Sequence, residues 1–173
     1  MKNLLGTIPY FEDAKTLALF KEFKSFRARG FLTKDQLIKI LRWKSNRPLK
    51  RYESNSEESV QEITALAFAT KNDILKAHIL TALKGVSFPA ASAILMFYDK
   101  KSYPVIDIRV WTQLYKAKLI DCNERGQNFT LAHWEIYLNV IRNLAMDLNM
   151  TARQVEKRLF DHDIKNQTKP IYK

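Results

Sequence analysis

Apolar residues recur at spacings of three and four along most of this chain, and few residues interrupt them. The 173 residues include only four glycines and five prolines, too few for a fold rich in turns. This spacing places apolar side chains on one face of a helix. The most extended segment, residues 103–106, is too short for a convincing strand and contains Pro104. The sequence therefore predicts an all-α protein with no significant sheet.

Capping residues and helix breakers divide the pattern into helices. Two capping boxes, Thr33 with Gln36 and Thr151 with Gln154, predict helix starts. Gly30 is expected to end a helix that spans residues 14–26, with residues 17, 20 and 23 on one face. Residues 42–51 are assigned to a loop from their Asn and Pro content. We expect one compact helical unit over residues 1–173, or two small lobes packed closely together, ending in a polar tail at 165–173.

Residues 83–111 are the most informative about function. Leu83 to Ser87 separates two helical segments and contains Gly85. A glycine turn between two helices directs backbone N–H groups outward, and the start of the second helix adds partial positive charge, so the pair can hold a phosphate. About twenty residues later, Asp107 stands at the start of another helix. A catalytic carboxylate at that position can face the bound backbone.

This arrangement resembles the helix-hairpin-helix DNA glycosylase superfamily. The signature of that superfamily is Leu-x-Gly-Val-Gly, a helix of small residues, and then Val-Asp-x-x-Val. Leu83, Gly85 and Val86 match the hairpin, and Ile106 to Val110 match the aspartate segment. The match covers about 30 residues, and the two motifs at this separation are more specific than a hairpin alone. The resemblance implies a helical bundle with the hairpin at residues 72–98 and the Asp107 helix near the cleft.

Three residues depart from the family pattern. Ser87 replaces the second glycine of the hairpin, and serine tolerates positive φ poorly. Pro89 stands where bifunctional members carry a Schiff-base lysine, which excludes lyase chemistry through that residue; Lys84 is not its equivalent. Cys122 is the only cysteine, so the four-cysteine iron–sulfur cluster of some members is not expected. The resemblance is therefore to monofunctional enzymes.

The resemblance implies a hydrolase of base excision repair that flips a modified or mismatched base from double-stranded DNA and removes it. Asp107 is the candidate catalytic residue, because a carboxylate stabilises the oxocarbenium-like sugar and orients water. Asp107 is also well suited to capping a helix, and both roles can coexist. The hairpin residues Lys84, Gly85, Val86 and Ser87 are expected to contact a DNA phosphate, directly or through a monovalent cation held by hairpin carbonyls. The alternative role of Gly85 is a helix C-cap.

The charge distribution also favours a polyanionic partner. The net charge is +11, and residues 1–52 hold 13 Lys and Arg against 4 Asp and Glu. Arg109 is expected either to contact DNA or to pair with a carboxylate. Trp43 is a candidate for stacking on an everted base, with ordinary core packing as the alternative. The other candidate contacts with the DNA backbone are Arg42, Lys44, Arg47, Lys50 and Arg51.

Other functional classes have weaker support. His78, His133 and His162 are too widely spaced to predict a metal site. The absence of a long apolar run or a good signal peptide favours a cytoplasmic protein, which we expect to be a monomer without a membrane partner. Two alternatives to a glycosylase remain, namely a DNA-binding protein on the same fold without catalysis and an interaction protein whose charge is incidental. The sequence does not indicate which base is recognised.

Overall fold

The computed structural model describes residues 1–166, and the all-α prediction is confirmed for them because they contain no strand. No helix in this part of the chain has both the length and the apolar character needed to cross a membrane. Residues 165 and 166 of the expected polar tail are still helical, and residues 167–173 lie outside the described residues. The helices are α1 (Lys2–Thr7), α2 (Ala14–Glu22), α3 (Lys24–Arg29), α4 (Lys34–Lys44), α5 (Leu49–Glu53), α6 (Glu57–Ala69), α7 (Asp73–Leu80), α8 (Phe88–Tyr98), α9 (Ile108–Lys116), α10 (Leu131–Asp147) and α11 (Ala152–Asn166).

Both predicted capping boxes are confirmed. Thr33 Oγ1 accepts from the Gln36 amide at 3.3 Å, and Gln36 Oε1 accepts from the Thr33 amide at 3.2 Å. The same reciprocal pair joins Thr151 and Gln154, at 3.1 and 2.8 Å. Each box satisfies backbone donors that a helix start leaves unpaired. These local bonds therefore fix where α4 and α11 begin.

The prediction of one continuous helix over residues 14–26 is wrong. The chain breaks at Phe23, whose ψ of 8° lies outside the helical range, so α2 and α3 are separate helices. Leu17, expected on the buried face, has 46% of its surface exposed, while Leu19 and Phe26 are buried. Phe23, at the break, and Phe26 are both buried, with their ring centroids 6.1 Å apart.

The loop predicted for residues 42–51 is much shorter. Arg42 and Lys44 lie in the last turn of α4, and Lys50 and Arg51 lie in α5. Only residues 45–48 are non-helical. Pro48 precedes α5 as its N-cap, a place where the missing N–H of proline costs no helical hydrogen bond. The basic residues are therefore carried on two helix ends.

Helix α8 lies at the centre of the molecule and packs against α4 and α7. Every residue from Ala90 to Phe97 is buried. Alanines at 90, 91 and 93 allow neighbouring helices to approach closely. The segment between α8 and α9 then returns along α8, because the Ile106 amide donates to Ser92 Oγ at 3.0 Å. Helix α8 therefore fixes both the turn that precedes it and Asp107 that follows it.

Candidate nucleic-acid interface

The turn at residues 81–87 joins α7 to α8 as a tight hairpin. The amide of Val86 donates to the Leu83 carbonyl at 3.1 Å, and Gly85 has a φ of +84°. This left-handed conformation explains why glycine stands there. Ser87 has a φ of −92° and a ψ of 172°. The serine at the second glycine position of the family pattern is therefore extended and needs no positive φ.

Asn55, which follows α5, holds the hairpin in place. Its Oδ1 accepts from the Lys84 amide at 2.8 Å, and its Nδ2 donates to the Lys84 carbonyl at 3.1 Å. The same Nδ2 also donates to the Tyr52 carbonyl at 2.9 Å, and Asn55 is buried. The sequence did not predict this role, since Asn55 stands among polar residues that resemble a loop. Asn55 links the hairpin to the basic helix α5.

Gly85→Val is expected to destabilise the protein. A Cβ at position 85 would lie 2.9 Å from Arg51 Cβ and 3.0 Å from Tyr52 Cδ1, and the positive φ adds strain for a branched residue. We expect a decrease of about 1–3 kcal/mol in the free energy of unfolding, measured by urea titration. Gly30→Val is the matched control, because its φ is +85° but no atom lies within 4 Å of the added Cβ. Equal decreases in the two variants would contradict close packing at Gly85.

The hairpin borders an open groove of about 500 Å³, which is also lined by Arg51 and Ser54 of the α5 segment. Lys84, Arg51 and Ser87 are exposed. Within residues 1–166, no hydrogen bond uses the amide of Gly85 or of Ser87. Gly85 and Ser87, whose amides form no hydrogen bond within residues 1–166, therefore line the groove together with the cations Lys84 and Arg51. Amides without a partner and cations both attract an anion.

Asp107 is fixed by three sets of hydrogen bonds. Its Oδ1 accepts from the Arg109 amide at 3.0 Å, which makes it the N-cap of α9, as expected. The bond from Ile106 to Ser92 and the bond from Tyr137 to the Val105 carbonyl, at 2.9 Å, hold the preceding backbone. The carboxylate is therefore held in one position relative to the hairpin, through α8.

The second oxygen of Asp107 pairs with Lys44. Lys44 Nζ lies 2.7 Å from Asp107 Oδ2, and the two side chains are only 16% and 13% exposed. From the sequence, Lys44 was expected to contact the DNA backbone from a loop. Instead it extends from the last turn of α4 to a carboxylate 63 positions away in the chain. Both oxygens of Asp107 thus have partners.

Two cavities share the Lys44–Asp107 pair in their walls. The outer cleft, about 470 Å³, is lined by Arg47, Pro89 and residues 126–129 besides the pair itself. The inner cavity, about 270 Å³, has Trp43 and Phe160 among its walls. Trp43 lines this cavity and donates from Nε1 to Thr16 Oγ1 at 2.8 Å. It is half-buried and packs edge-on against Phe97.

A buried ion cluster lies at the wall of the inner cavity. Arg153 donates from Nε and Nη2 to Glu12 at 3.0 and 2.9 Å, and Nη1 pairs with Glu156. Burial raises the pKa of Glu156, although the guanidinium of Arg153 opposes that shift. Burial and the neighbouring Glu12 raise the pKa of Tyr10 to about 12. Nothing in the sequence indicated this cluster, because its members come from the two ends of the chain.

The remaining predicted site residues, and the histidines, lie at several separate places on the structure. Arg109 pairs with Asp163 at 2.8 Å, the carboxylate alternative that the sequence left open. Arg42, Arg47 and Lys50 are exposed. His133 belongs to the cap of α10, and His162 lies 3.2 Å from Gln113. Among residues 1–166, no group of three or more His, Cys, Asp or Glu side chains is placed to hold a metal ion.

Comparison with models of known families, with curated proteins and with solved structures finds no match to this chain.

Proposed function

We propose that this protein is a DNA N-glycosylase of the helix-hairpin-helix type, which flips a modified or mismatched base from duplex DNA and removes it. The proposal rests on one observation, that α8 connects the hairpin at its start with Asp107 and so fixes their relative positions. The hairpin leads into α8, Pro89 in its first turn lines the same cleft as Asp107, and Ser92 holds Ile106. Helix α8 therefore sets the distance between a phosphate on the hairpin and a sugar at Asp107.

The hairpin binds the DNA backbone in this proposal. Gly85, Ser87, Lys84 and Arg51 line one groove, and the proposal is that the two amides and the two cations contact the phosphate. Such contacts recognise phosphate without regard to sequence, so they orient the duplex and leave base selection to another part of the protein. The exposed cations at the facing ends of α4 and α5 extend the positive surface. A monovalent cation at the hairpin is compatible with this proposal but is not needed for it.

The flipped base enters the outer cleft and reaches the inner cavity. Trp43 and Phe160 supply aromatic walls there, and Asp107 and Lys44 line both spaces. Stacking on aromatic side chains is a general way to hold an unpaired base. The combined space is adequate for a base, since ligand sites commonly measure about 300–1,000 Å³. The base therefore passes the Lys44–Asp107 pair, which leaves its sugar beside the carboxylate.

Asp107 supplies the catalytic carboxylate. The glycosidic bond breaks with its electron pair leaving on the base, and positive charge develops on the sugar. The Asp107 carboxylate stabilises that charge and orients the water that attacks C1′. Its bonds to the Arg109 amide and Lys44 hold it in one orientation before substrate binds. No cofactor is required for this hydrolysis.

A second candidate is a DNA-binding protein on the same fold without catalysis. Both oxygens of Asp107 have structural partners, so capping α9 and pairing with Lys44 are enough to explain an aspartate at this position. Base release separates the two candidates, since only the first produces abasic sites. A protein that does not bind duplex DNA at all would instead be an interaction protein with incidental charge.

The test uses duplexes that each carry one alkylated, deaminated or oxidised base. After incubation with the protein, hot alkali cleaves abasic sites, and a gel measures the cleaved strand. We expect alkali-dependent cleavage at one class of damaged base and none in undamaged duplex. A gel shift on the same duplexes measures binding. Binding without cleavage across a broad panel would favour the non-catalytic candidate, and an absence of binding at every salt concentration would contradict both.

The Arg47→Ala, Lys50→Ala double variant is expected to weaken the salt dependence of DNA binding. Removal of one phosphate contact should reduce the slope of log K against log salt by roughly 0.9. Both residues are exposed, so little change in stability is expected. Fluorescence anisotropy at several salt concentrations measures the slope. Lys116→Ala, an exposed cation at the end of α9, is the control. Equal slopes in wild type and double variant would exclude both residues from the interface.

A further inference from the structure

We infer that this protein binds a second DNA duplex at the opposite end of α8 from the hairpin, and so bridges two duplexes. The second site is a groove of about 440 Å³, here called the distal groove, which is lined by Phe20, Lys24, Arg27 and residues 97–101. The hairpin precedes α8, whereas the distal groove lies where α8 ends. The inference rests on the proposed function for the first duplex alone, which the hairpin groove holds.

The distal groove is strongly positive. Its lining contains four cations, Lys24, Arg27, Lys100 and Lys101, and one acid, Asp99, which together give a net charge of +3. The C-terminal end of α8 adds a partial negative charge equivalent to roughly half an elementary charge, which is too small to neutralise the groove. A groove with this charge attracts a polyanion.

Three of the four cations are not neutralised by neighbouring side chains. Lys24, Lys100 and Lys101 are exposed, and none of them forms an ion pair with an acidic side chain within residues 1–166. Arg27 lies 3.8 Å from Asp99 Oδ2, so the single acid of the groove has its own counter-charge. The three lysine amines are therefore available to phosphate groups.

The turn that carries Lys100 and Lys101 has a fixed backbone. Asp99 Oδ1 accepts from the Lys101 amide at 3.0 Å. The carbonyls of Lys100 and Lys101 accept from two amides in the first turn of α11, at 3.2 and 2.9 Å. Because this backbone is already ordered, binding loses little conformational entropy there.

The aromatic rings of the distal groove favour contact with phosphates over contact with bases. Tyr98 stacks on Phe68 with ring centroids 4.4 Å apart, and the Arg27 guanidinium also lies over its ring, at 5.3 Å. Lys100 Nζ lies over the Phe20 ring at 4.6 Å. Unpaired bases need open ring faces on which to stack. A duplex, which keeps its bases paired and presents phosphates along its surface, therefore fits the groove better than a single strand does.

The experiment measures bridging directly. An undamaged biotinylated duplex is immobilised on streptavidin beads and saturated with protein, free protein is removed, and a second, fluorescent duplex is added. We expect wild type to retain the fluorescent duplex. The triple variant Lys24→Gln, Lys100→Gln, Lys101→Gln should retain about tenfold less or lower, because three phosphate contacts are lost. It should still release a damaged base and bind a single duplex as wild type does, because these lysines line neither the hairpin groove nor the two cavities.

A second triple variant, Lys116→Gln, Lys118→Gln, Lys165→Gln, is the matched control. It removes the same charge from exposed positions outside the distal groove, so it should retain the fluorescent duplex as wild type does. Circular dichroism establishes that each variant is folded. If the control lost as much retention as the first triple variant, net charge would be the cause and the inference would be overturned.

The remaining outcomes separate this inference from the proposed function. Wild type that releases a damaged base but retains no second duplex would overturn the inference and leave the proposed function intact. Retention of the second duplex without base release would contradict the glycosylase and support the distal groove. A distal-groove variant that bridges like wild type, or that binds a single duplex much more weakly, would overturn the inference, as would retention of fluorescent polyglutamate in place of the duplex. Wild type that binds no duplex would overturn both.

Discussion

Asp107→Asn is expected to abolish base release while leaving the helical fold and DNA binding in place. Asparagine caps a helix as well as aspartate does, so its oxygen can still accept from the Arg109 amide. A neutral amide cannot stabilise the positive charge that develops on the sugar. Removal of one such electrostatic group costs roughly 100-fold or more in rate. Single-turnover base release measures the effect, and anisotropy should give unchanged or slightly tighter binding because a negative charge near phosphate is removed.

Asp73→Asn is the matched control for this prediction. Asp73 also pairs with a cation, Arg142 at 2.7 Å, and accepts from the Tyr103 hydroxyl. It lies at the start of α7 and does not line either cavity. Its substitution should lower stability without changing the rate of base release by the folded protein. If Asp107→Asn released the base as fast as wild type, the carboxylate would have no part in the mechanism.

The sequence predicted the helices well where local interactions determine them. Capping at Thr33 and Thr151 uses residues three positions apart, so the pattern contains the whole signal. The pattern failed at Phe23, where the helix breaks and the ring packs edge-on against Phe97 of α8. It also failed at Lys50, which lies in a short helix. Those outcomes depend on packing between segments distant in sequence, which helical spacing does not encode.

The same distinction applies to the candidate site, where residues with a local role were predicted and residues with distant partners were missed. Gly85 and Asp107 were recognisable because each performs a local backbone function, a left-handed turn and a helix cap. Asn55 was missed because its partner, Lys84, lies 29 positions away. The pairing of Lys44 with Asp107 was missed for the same reason, although both residues had been selected separately. Contacts between side chains distant in sequence can be recognised only once the packing of the helices is known.

Arg153→Met is expected to be the most destabilising single change away from the hairpin. Arg153 is 3% exposed, and its guanidinium contacts Glu12 and Glu156, whose side chains are 3% and 2% exposed. Methionine retains much of the apolar stem but removes the guanidinium that pairs with both buried carboxylates, and for Glu156 it leaves only the weaker influence of Lys44. Breaking a buried pair from one side costs about 3–5 kcal/mol. Urea unfolding measures the destabilisation, and Lys39→Met, which removes only solvent-exposed pairs, should change stability little.

The pH dependence of the stability of Arg153→Met shows whether its destabilisation comes from unpaired charges or from poorer packing. Burial already raises the pKa of Glu156 above its ordinary value of 4.5, and without Arg153 nothing nearby opposes burial as strongly. The folded variant then binds more protons than its unfolded chain between the ordinary and the raised pKa, so its stability falls as pH rises through that window. The difference in the free energy of unfolding between wild type and variant should therefore become smaller as the pH is lowered toward 4.5.

A second substitution, Glu156→Gln, tests the same cause. Adding Glu156→Gln to Arg153→Met should recover part of the stability at neutral pH, because it removes one of the unpaired charges. A gap that is independent of pH and unaffected by Glu156→Gln would assign the destabilisation to packing alone.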